Sequence, residues 1–227
     1  NLLEEIHQNQ RKLRKTELKV LQAQINPHFL YNALDTIIWL GERGEYERVV
    51  LMTSALAKYF RLSLSKGYDI IPIMEEIEHV KNYLVIQKIR YDNKLNYQFD
   101  IDSEILGYLT VKIILQPLVE NALYHGIKDR DEGGNIRIIG RKIGDVICLI
   151  VEDIGVGMTK RQVENILKSN ISTSITGSGV AIKNVHERIQ IYFGREYGLK
   201  YKSELGKGTK VYIYIPIKEE LSFNNFR

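Results

Sequence analysis

The chain has 227 residues, 44% hydrophobic and 26% charged, with 17 glycines and 4 prolines. That balance supplies apolar material for one or two modest cores and excludes a low-complexity or collagen-like chain. With 32 Lys and Arg against 28 Asp and Glu, the formal charge is +4, and the bases are too interleaved with acids to mark a nucleic-acid surface.

Taken in chain order, residues 2–40 are charged, glycine-free and helical in pattern. Leu18, Leu21 and Ile25 step by three and four, and Leu30, Leu34, Ile37 and Ile38 continue the stripe. Such a helix would be roughly 60 Å long, so a bundle or coiled-coil partner is implied. Gly41-Glu42-Arg43-Gly44 reads as a turn, and Val49, Val50, Met52, Leu56, Tyr59, Phe60 and Leu62 give the apolar set of a second helix over 46–65. The two form an antiparallel hairpin, and two hairpins make a four-helix bundle as a dimer. The texture changes at Gly67-Tyr68-Asp69, the expected domain boundary.

Beyond it, helices are expected over 74–89, 113–126 and 180–193. Strands are expected over 95–101, 136–141, 146–152, 199–203 and 210–215, with a glycine-rich section over 153–179. Helices interspersed with hairpins suggest an α/β sandwich, one mixed sheet covered by helices on one face. The longest uncharged apolar run, residues 146–151, falls far short of the roughly 20 residues of a membrane-spanning helix. It holds the single cysteine, Cys148, expected as a packed core thiol in a reducing compartment.

Five clusters carry candidate chemistry. In Gln24-Ile25-Asn26-Pro27-His28-Phe29-Leu30-Tyr31-Asn32, proline bends the helix just before His28. A neutral imidazole held clear of the bundle is a competent nucleophile toward phosphorus, and Asn32, one turn on, can orient the ring or a water. The competing reading is a bundle-core histidine bonded across the hairpin. In Leu115-Gln116-Pro117-Leu118-Val119-Glu120-Asn121-Ala122-Leu123-Tyr124-His125-Gly126, Asn121 and His125 share a helix face. An amide oxygen there is a plausible Mg²⁺ ligand, with Glu120 a base beside it; an ordinary amphipathic helix is the alternative. Asp153-Ile154-Gly155-Val156-Gly157 follows a strand, where a carboxylate can accept from an exocyclic amine and glycines admit a flat ring. Thr176-Gly177-Ser178-Gly179 opens a helix and offers bare N–H groups to phosphate; Gly206-Lys207-Gly208-Thr209 alone reads as a hairpin turn. The remaining histidines, His7, His79 and His186, lack partners at ligand spacing, so no zinc site is expected.

The order of these motifs resembles the ATP-binding domain shared by gyrase, MutL and histidine kinases. With the Gln-Ile-Asn-Pro-His-Phe-Leu-Tyr-Asn run upstream and Asn184-Val185-His186-Glu187-Arg188-Ile189 downstream, the chain resembles the LytS/YesM type of sensor histidine kinase over residues 14–216. The resemblance implies His28 as phosphoacceptor, Asn121 as the Mg²⁺ ligand and Asp153 on the adenine amine, with Gly155 and Gly157 shaping the base pocket and His125 beside it. Gly177 and Gly179 would face the triphosphate at the end of a mobile lid over 158–176, and Gly208 and Thr209 would close the pocket. Asn32 would serve dephosphorylation.

The pattern departs from related kinases at Phe29, where many carry an acid after the acceptor; the base must then come from elsewhere, with Glu120 the candidate. It departs again at Pro117, which replaces a polar residue four before Asn121, and at Thr110-Val111-Lys112, which lacks the proline commonly seen before this helix. The implied organisation is a signalling helix with a dimerisation and histidine-phosphotransfer hairpin over 1–66, an ATP-binding catalytic domain over 67–218 and a tail over 219–227. ATP and Mg²⁺ are the implied cofactors, and a second copy and a response-regulator receiver domain the implied partners, with no nucleic acid. The chain would be the cytoplasmic portion of a cell-membrane sensor, tethered through a region preceding Asn1. A conformational ATPase or protein-serine kinase of the same superfamily is the alternative.

Overall fold

The computed structural model describes residues 27–64, 69–127, 132–168 and 178–218. The chain divides into two compact units, Asn1–Lys66 and Gly67–Arg227.

In the first unit, α1 (Pro27–Glu42) and α2 (Tyr46–Leu64) pack together. Phe29, Ala33 and Leu40 recur at helical spacing and bury against Met52, Ala55, Leu56 and Tyr59. The Phe29 and Tyr59 rings stand 5.0 Å apart, so the helices run antiparallel. Between them Gly44 donates to the Gly41 carbonyl at 3.0 Å and Glu45 to the Leu40 carbonyl at 3.0 Å, a pairing that closes orphan carbonyls of the helix end. Glu45 then starts α2, receiving the Val49 N–H at 3.1 Å and pairing with Arg48 at 2.6 Å and Arg43 at 3.0 Å. Pro27 is the first described residue of α1. The long helix and the bend expected before His28 concern residues 1–26, outside the described residues.

The second unit opens with β1 (Ile70–Pro72), which pairs antiparallel with β3 (Leu109–Val111). Next come α3 (Ile73–Tyr91), β2 (Leu95–Ile101), α4 (Gln116–Asn121) and a π-helical turn, Ala122–Ile127. Then follow β4 (Gly134–Ile143), β5 (Val146–Asp153), α5 (Lys160–Lys168), α6 (Ser178–Phe193), β6 (Gly198–Glu204) and β7 (Gly208–Pro216). The main sheet runs β2-β4-β5-β7-β6, parallel at β2–β4 and antiparallel elsewhere. Alternation sorts its faces: Ile136, Ile138, Ile147, Leu149, Val151, Val211, Ile213 and Ile215 are buried under the helices.

The other face carries Arg137 and Arg141 on Asp100 and Lys210 on Glu152, with Lys200 and Lys202 over Tyr214 and Tyr212. Cys148 lies in that face yet is 1% exposed, its thiol bonded to Tyr214 and pushed up in pKa by burial.

Four elements, α4, β1, β3 and α5, differ from the sequence expectation. The helix expected over 113–126 begins only at Gln116 and widens to π geometry after Asn121, because Ile113 takes a left-handed φ of 58° that no α-helix accommodates. The β1–β3 pair escapes notice because each strand has only 3 residues, too few to show a period. Within the glycine-rich section, α5 forms over Lys160–Lys168; residues 169–177, including Gly177, lie outside the described residues, as does the tail over 219–227.

Candidate functional site

Asp153 ends β5, and the inward set of that strand (Ile147, Leu149, Val151) carries its carboxylate to the helix-covered face, where it is 7% exposed. Across the ladder, Ile136, Asp153, Thr209 and Ser203 stand in one row at one end of the sheet. The Gly155 N–H donates to Asp153 Oδ1 at 2.8 Å. Burial lifts the carboxyl from its ordinary 3.8 to about 6, against the pull of the Gly155 and Thr209 N–H groups. The aperture beside it depends on backbone approach. A Cβ on Gly155 would overlap the Gly126 backbone, and Gly208, at φ 97°, would drive one into the Asp153 carbonyl. Val156 donates to the Gly126 carbonyl at 3.3 Å and Gly206 to the Val156 carbonyl at 2.7 Å. Asp153, Gly155, Gly157, Gly208 and Thr209 are thus brought together with Gly126.

Glu120 and Asn121 end α4, both half-buried. Burial raises the Glu120 carboxyl, opposed by the Gln116 amide, which donates to it at 2.8 Å. The π-helical turn starts directly after Asn121, a distortion frequent at functional sites. His125 lies on that turn, and its side chain is outside the described residues. Pro117 occupies the first turn of α4, where it removes no helical hydrogen bond; its departure from the related pattern is harmless to the fold. Gly179 is in the first turn of α6.

These groups suit a purine nucleotide. A buried carboxylate hemmed in by glycine backbone can accept from an exocyclic amine, and the amide oxygen of Asn121 is a hard ligand. Among the described residues no three His, Cys, Asp or Glu side chains gather as a metal site.

In the first unit His28 is exposed on the opening turn of α1, not packed across the hairpin. The Asn32 Nδ2 stands 3.1 Å from its Nε2 and 3.2 Å from its Nδ1. An amide NH₂ only donates, so it meets a ring nitrogen that carries a lone pair. His79 and His186 are structural: burial and Lys112 lower His79 to about 4, and His186 Nδ1 accepts the Leu199 N–H at 3.0 Å.

Two residues at the site were missed in the sequence. Ser203 Oγ accepts the Met158 N–H at 2.8 Å and donates to the Gly208 carbonyl at 2.9 Å. Glu76, 0% exposed on α3, receives the N–H groups of Ile113, Ile114 and Leu115 at 2.7, 2.8 and 2.8 Å. A carboxylate in phase with Ile73, Ile77 and Val80 was the available signal for Glu76.

Residues 16–95 match the family described as Histidine kinase, and residues 109–219 match Histidine kinase-, DNA gyrase B-, and HSP90-like ATPase. The sensor histidine kinase YesM of Bacillus subtilis is 39% identical over 220 residues, 97% of this chain and 37% of YesM. The chain belongs to the LytS/YesM-type histidine kinases. Sensor protein LytS of Bacillus cereus is 34% identical over 91% of the chain, and sensor histidine kinase BtsS of Escherichia coli 31% identical over 92%. This histidine kinase chain spans 35–37% of the length of those relatives.

Its second unit shares the histidine-kinase ATP-binding fold. The catalytic domain of histidine kinase ThkA superposes at a TM-score of 0.50 with 22% identity, covering 68% of this chain and 100% of that one. The mycobacterial sensor histidine kinase MprB does so at 0.50 with 12% identity, covering 67% and 99%. Among the described residues, no helix of this kinase chain is long and apolar enough to cross a membrane.

Proposed function

We propose that the chain autophosphorylates His28 from ATP and passes the phosphoryl group to an aspartate of a response-regulator receiver domain. The observation that carries this reading is the exposed His28 imidazole, held by Asn32 (Nδ2 to Nε2, 3.1 Å), in a chain that also holds an ATPase-fold unit. Asp153 recognises the adenine amine, with Gly155 and Gly157 beside the ring and His125 on the same wall. Gly177 and Gly179 face the triphosphate; Gly208 and Thr209 close the hairpin side. Asn121 would hold Mg²⁺, which when bound would supply neutralising charge to the transferring group.

The chemical step is a displacement at phosphorus. A ring nitrogen of His28 donates its lone pair to the γ-phosphorus, the bond to the bridging oxygen breaks, and ADP leaves with that electron pair. The imidazolium then gives up its remaining N–H proton. Glu120, raised by burial, is the base on this reading, since Phe29 supplies none beside the acceptor. The phosphohistidine ring then regains that proton. As a carboxylate oxygen of the receiver aspartate bonds to phosphorus, the N–P bond breaks, its electron pair stays on the ring nitrogen, and the neutral imidazole is returned. Asn32 orients a water for dephosphorylation.

The first unit is a signalling and phosphotransfer hairpin over 1–66 that dimerises as a four-helix bundle. Tyr31, Leu34 and Ile38, 66%, 43% and 61% exposed, line α1 on the side away from Phe29, Ala33 and Leu40, which is what a second hairpin would cover. The catalytic domain over 67–218 follows, and the two together are the cytoplasmic portion of a membrane-tethered sensor. No observation favours the conformational-ATPase or serine-kinase alternative.

Incubation with γ-labelled ATP and Mg²⁺ tests the proposal. The wild-type chain is expected to take up an acid-labile, base-stable label. His28→Gln is expected to take up none while binding ATP unchanged, and label on that variant would remove the acceptor assignment.

A further inference from the structure

Glu76 stands in the first turn of α3 beside Glu75, yet the helical phase sends it inward with Ile73, Ile77 and Val80. Its Oε2 takes the Ile113 N–H at 2.7 Å, and its Oε1 takes those of Ile114 and Leu115 at 2.8 Å each. Three successive N–H groups around a left-handed residue form an anion-binding concavity, and the chain's own carboxylate fills it. Ile113, at φ 58°, is a β-branched residue in a conformation such residues avoid. An apolar side chain at position 76 would suit the stripe equally well but would leave all three donors unpaired.

The turn so pinned leads directly into α4. That helix is too short to fix its own orientation: it spans only Gln116–Asn121, includes a proline in its first turn, and passes into π geometry at its far end. Leu118 and Val119 both donate back to the Leu115 carbonyl, at 3.1 and 3.0 Å, so the start of the helix hangs on a residue that Glu76 holds. Arg188 on α6 and Lys112 add charge around the same carboxylate.

We propose that Glu76 is a positioning residue for nucleotide binding: by pinning residues 113–115 it sets where α4 presents the Asn121 amide. The inference rests on the reading of Asn121 as the Mg²⁺-facing amide. Calorimetric titration of the whole chain with ATP, once with Mg²⁺ and once with EDTA, separates it from a purely structural role. In Glu76→Gln one acceptor oxygen still serves Ile114 and Leu115, while an NH₂ group meets the Ile113 N–H.

That variant is expected to lose about tenfold or more in Mg²⁺–ATP affinity, as supporting residues of metal sites do. Affinity in EDTA, which reads the Asp153 side, is expected to change by less than about threefold, under 1 kcal/mol. Glu76→Asp, which keeps the charge on a shorter arm, is expected to lose Mg²⁺–ATP affinity in the same selective way, and it is the deciding variant if the glutamine protein fails to fold. Unchanged Mg²⁺–ATP affinity, or equal losses with and without Mg²⁺, would overturn the role of Glu76. A wild-type chain that binds ATP no better with Mg²⁺ than without would instead remove the reading of Asn121 on which it stands.

Discussion

At Asp153 the requirements of stability and binding oppose each other. Burial with few compensating donors holds the carboxyl near 6 instead of 3.8. The folded chain therefore keeps a proton that the unfolded chain has lost between about pH 4 and pH 6. The nucleotide-free protein loses stability as pH rises through that window, by roughly 2–3 kcal/mol once Asp153 is fully ionised. Asp153→Asn is expected to recover part of that stability above pH 6, visible as a raised Tm, while weakening ATP binding at least about tenfold through loss of a charge-assisted hydrogen bond. The ionised form is the better acceptor, so ATP affinity of the wild-type chain should climb as pH rises through 6, and calorimetry between pH 5 and 7.5 checks it.

Asp153 was legible in the sequence because a carboxylate and two glycines directly after an apolar strand restrict what the backbone can do. Glu76 was not: its partners lie 37–39 positions away, and Glu75 beside it makes the pair look like solvated acids of a helix start. His28 stood out in the sequence only as a candidate nucleophile, and the structure showed its ring exposed instead of buried between helices.

At the scale of elements, the Ser203 hydroxyl adds to the Gly206–Val156 backbone bond in joining the loop after β5 to the β6–β7 hairpin. Ser203 Oγ spends its proton on the Gly208 carbonyl and accepts the Met158 N–H, so the 2.9 Å contact with Thr209 Oγ1 must use the Thr209 proton. Ser203→Ala strands the Met158 donor and is expected to cost about 1 kcal/mol. Faster amide exchange at residues 156–158 and a faster nucleotide off-rate, with the sheet amides unchanged, would report it.

The strands of the main sheet were readable from two signals, alternation in β2 and the unbroken apolar run of the central β5, whose neighbours on both sides keep it covered. The elements that were not readable share a cause: α4, its π-helical turn and the β1–β3 pair owe their geometry to tertiary partners and not to their own periodicity. The helix α5 is different: its nine residues carry Val163, Ile166 and Leu167 at helical spacing, a signal outweighed by the glycines on either side.

Among the described residues, the ATPase-fold unit buries most of its apolar side chains, while the hairpin leaves a second apolar stripe open. Val50 on α2, 68% exposed, adds to Tyr31, Leu34 and Ile38 on α1. Ile38→Glu is expected to shift the chain from dimer to monomer in sedimentation experiments while leaving ATP affinity unchanged, because the nucleotide residues belong to the other unit. A dimer that survived this change would place the association elsewhere.

Cys148 bears on how such questions can be put. It is the sole sulfhydryl of the sequence, and the sheet shields it and holds it in its less reactive, protonated form. The natural chain is therefore chemically silent to maleimides while folded. A cysteine introduced at Leu34 would be the only site such a reagent reads, and an oxidised bridge there would record the encounter of two hairpins without any background substitution.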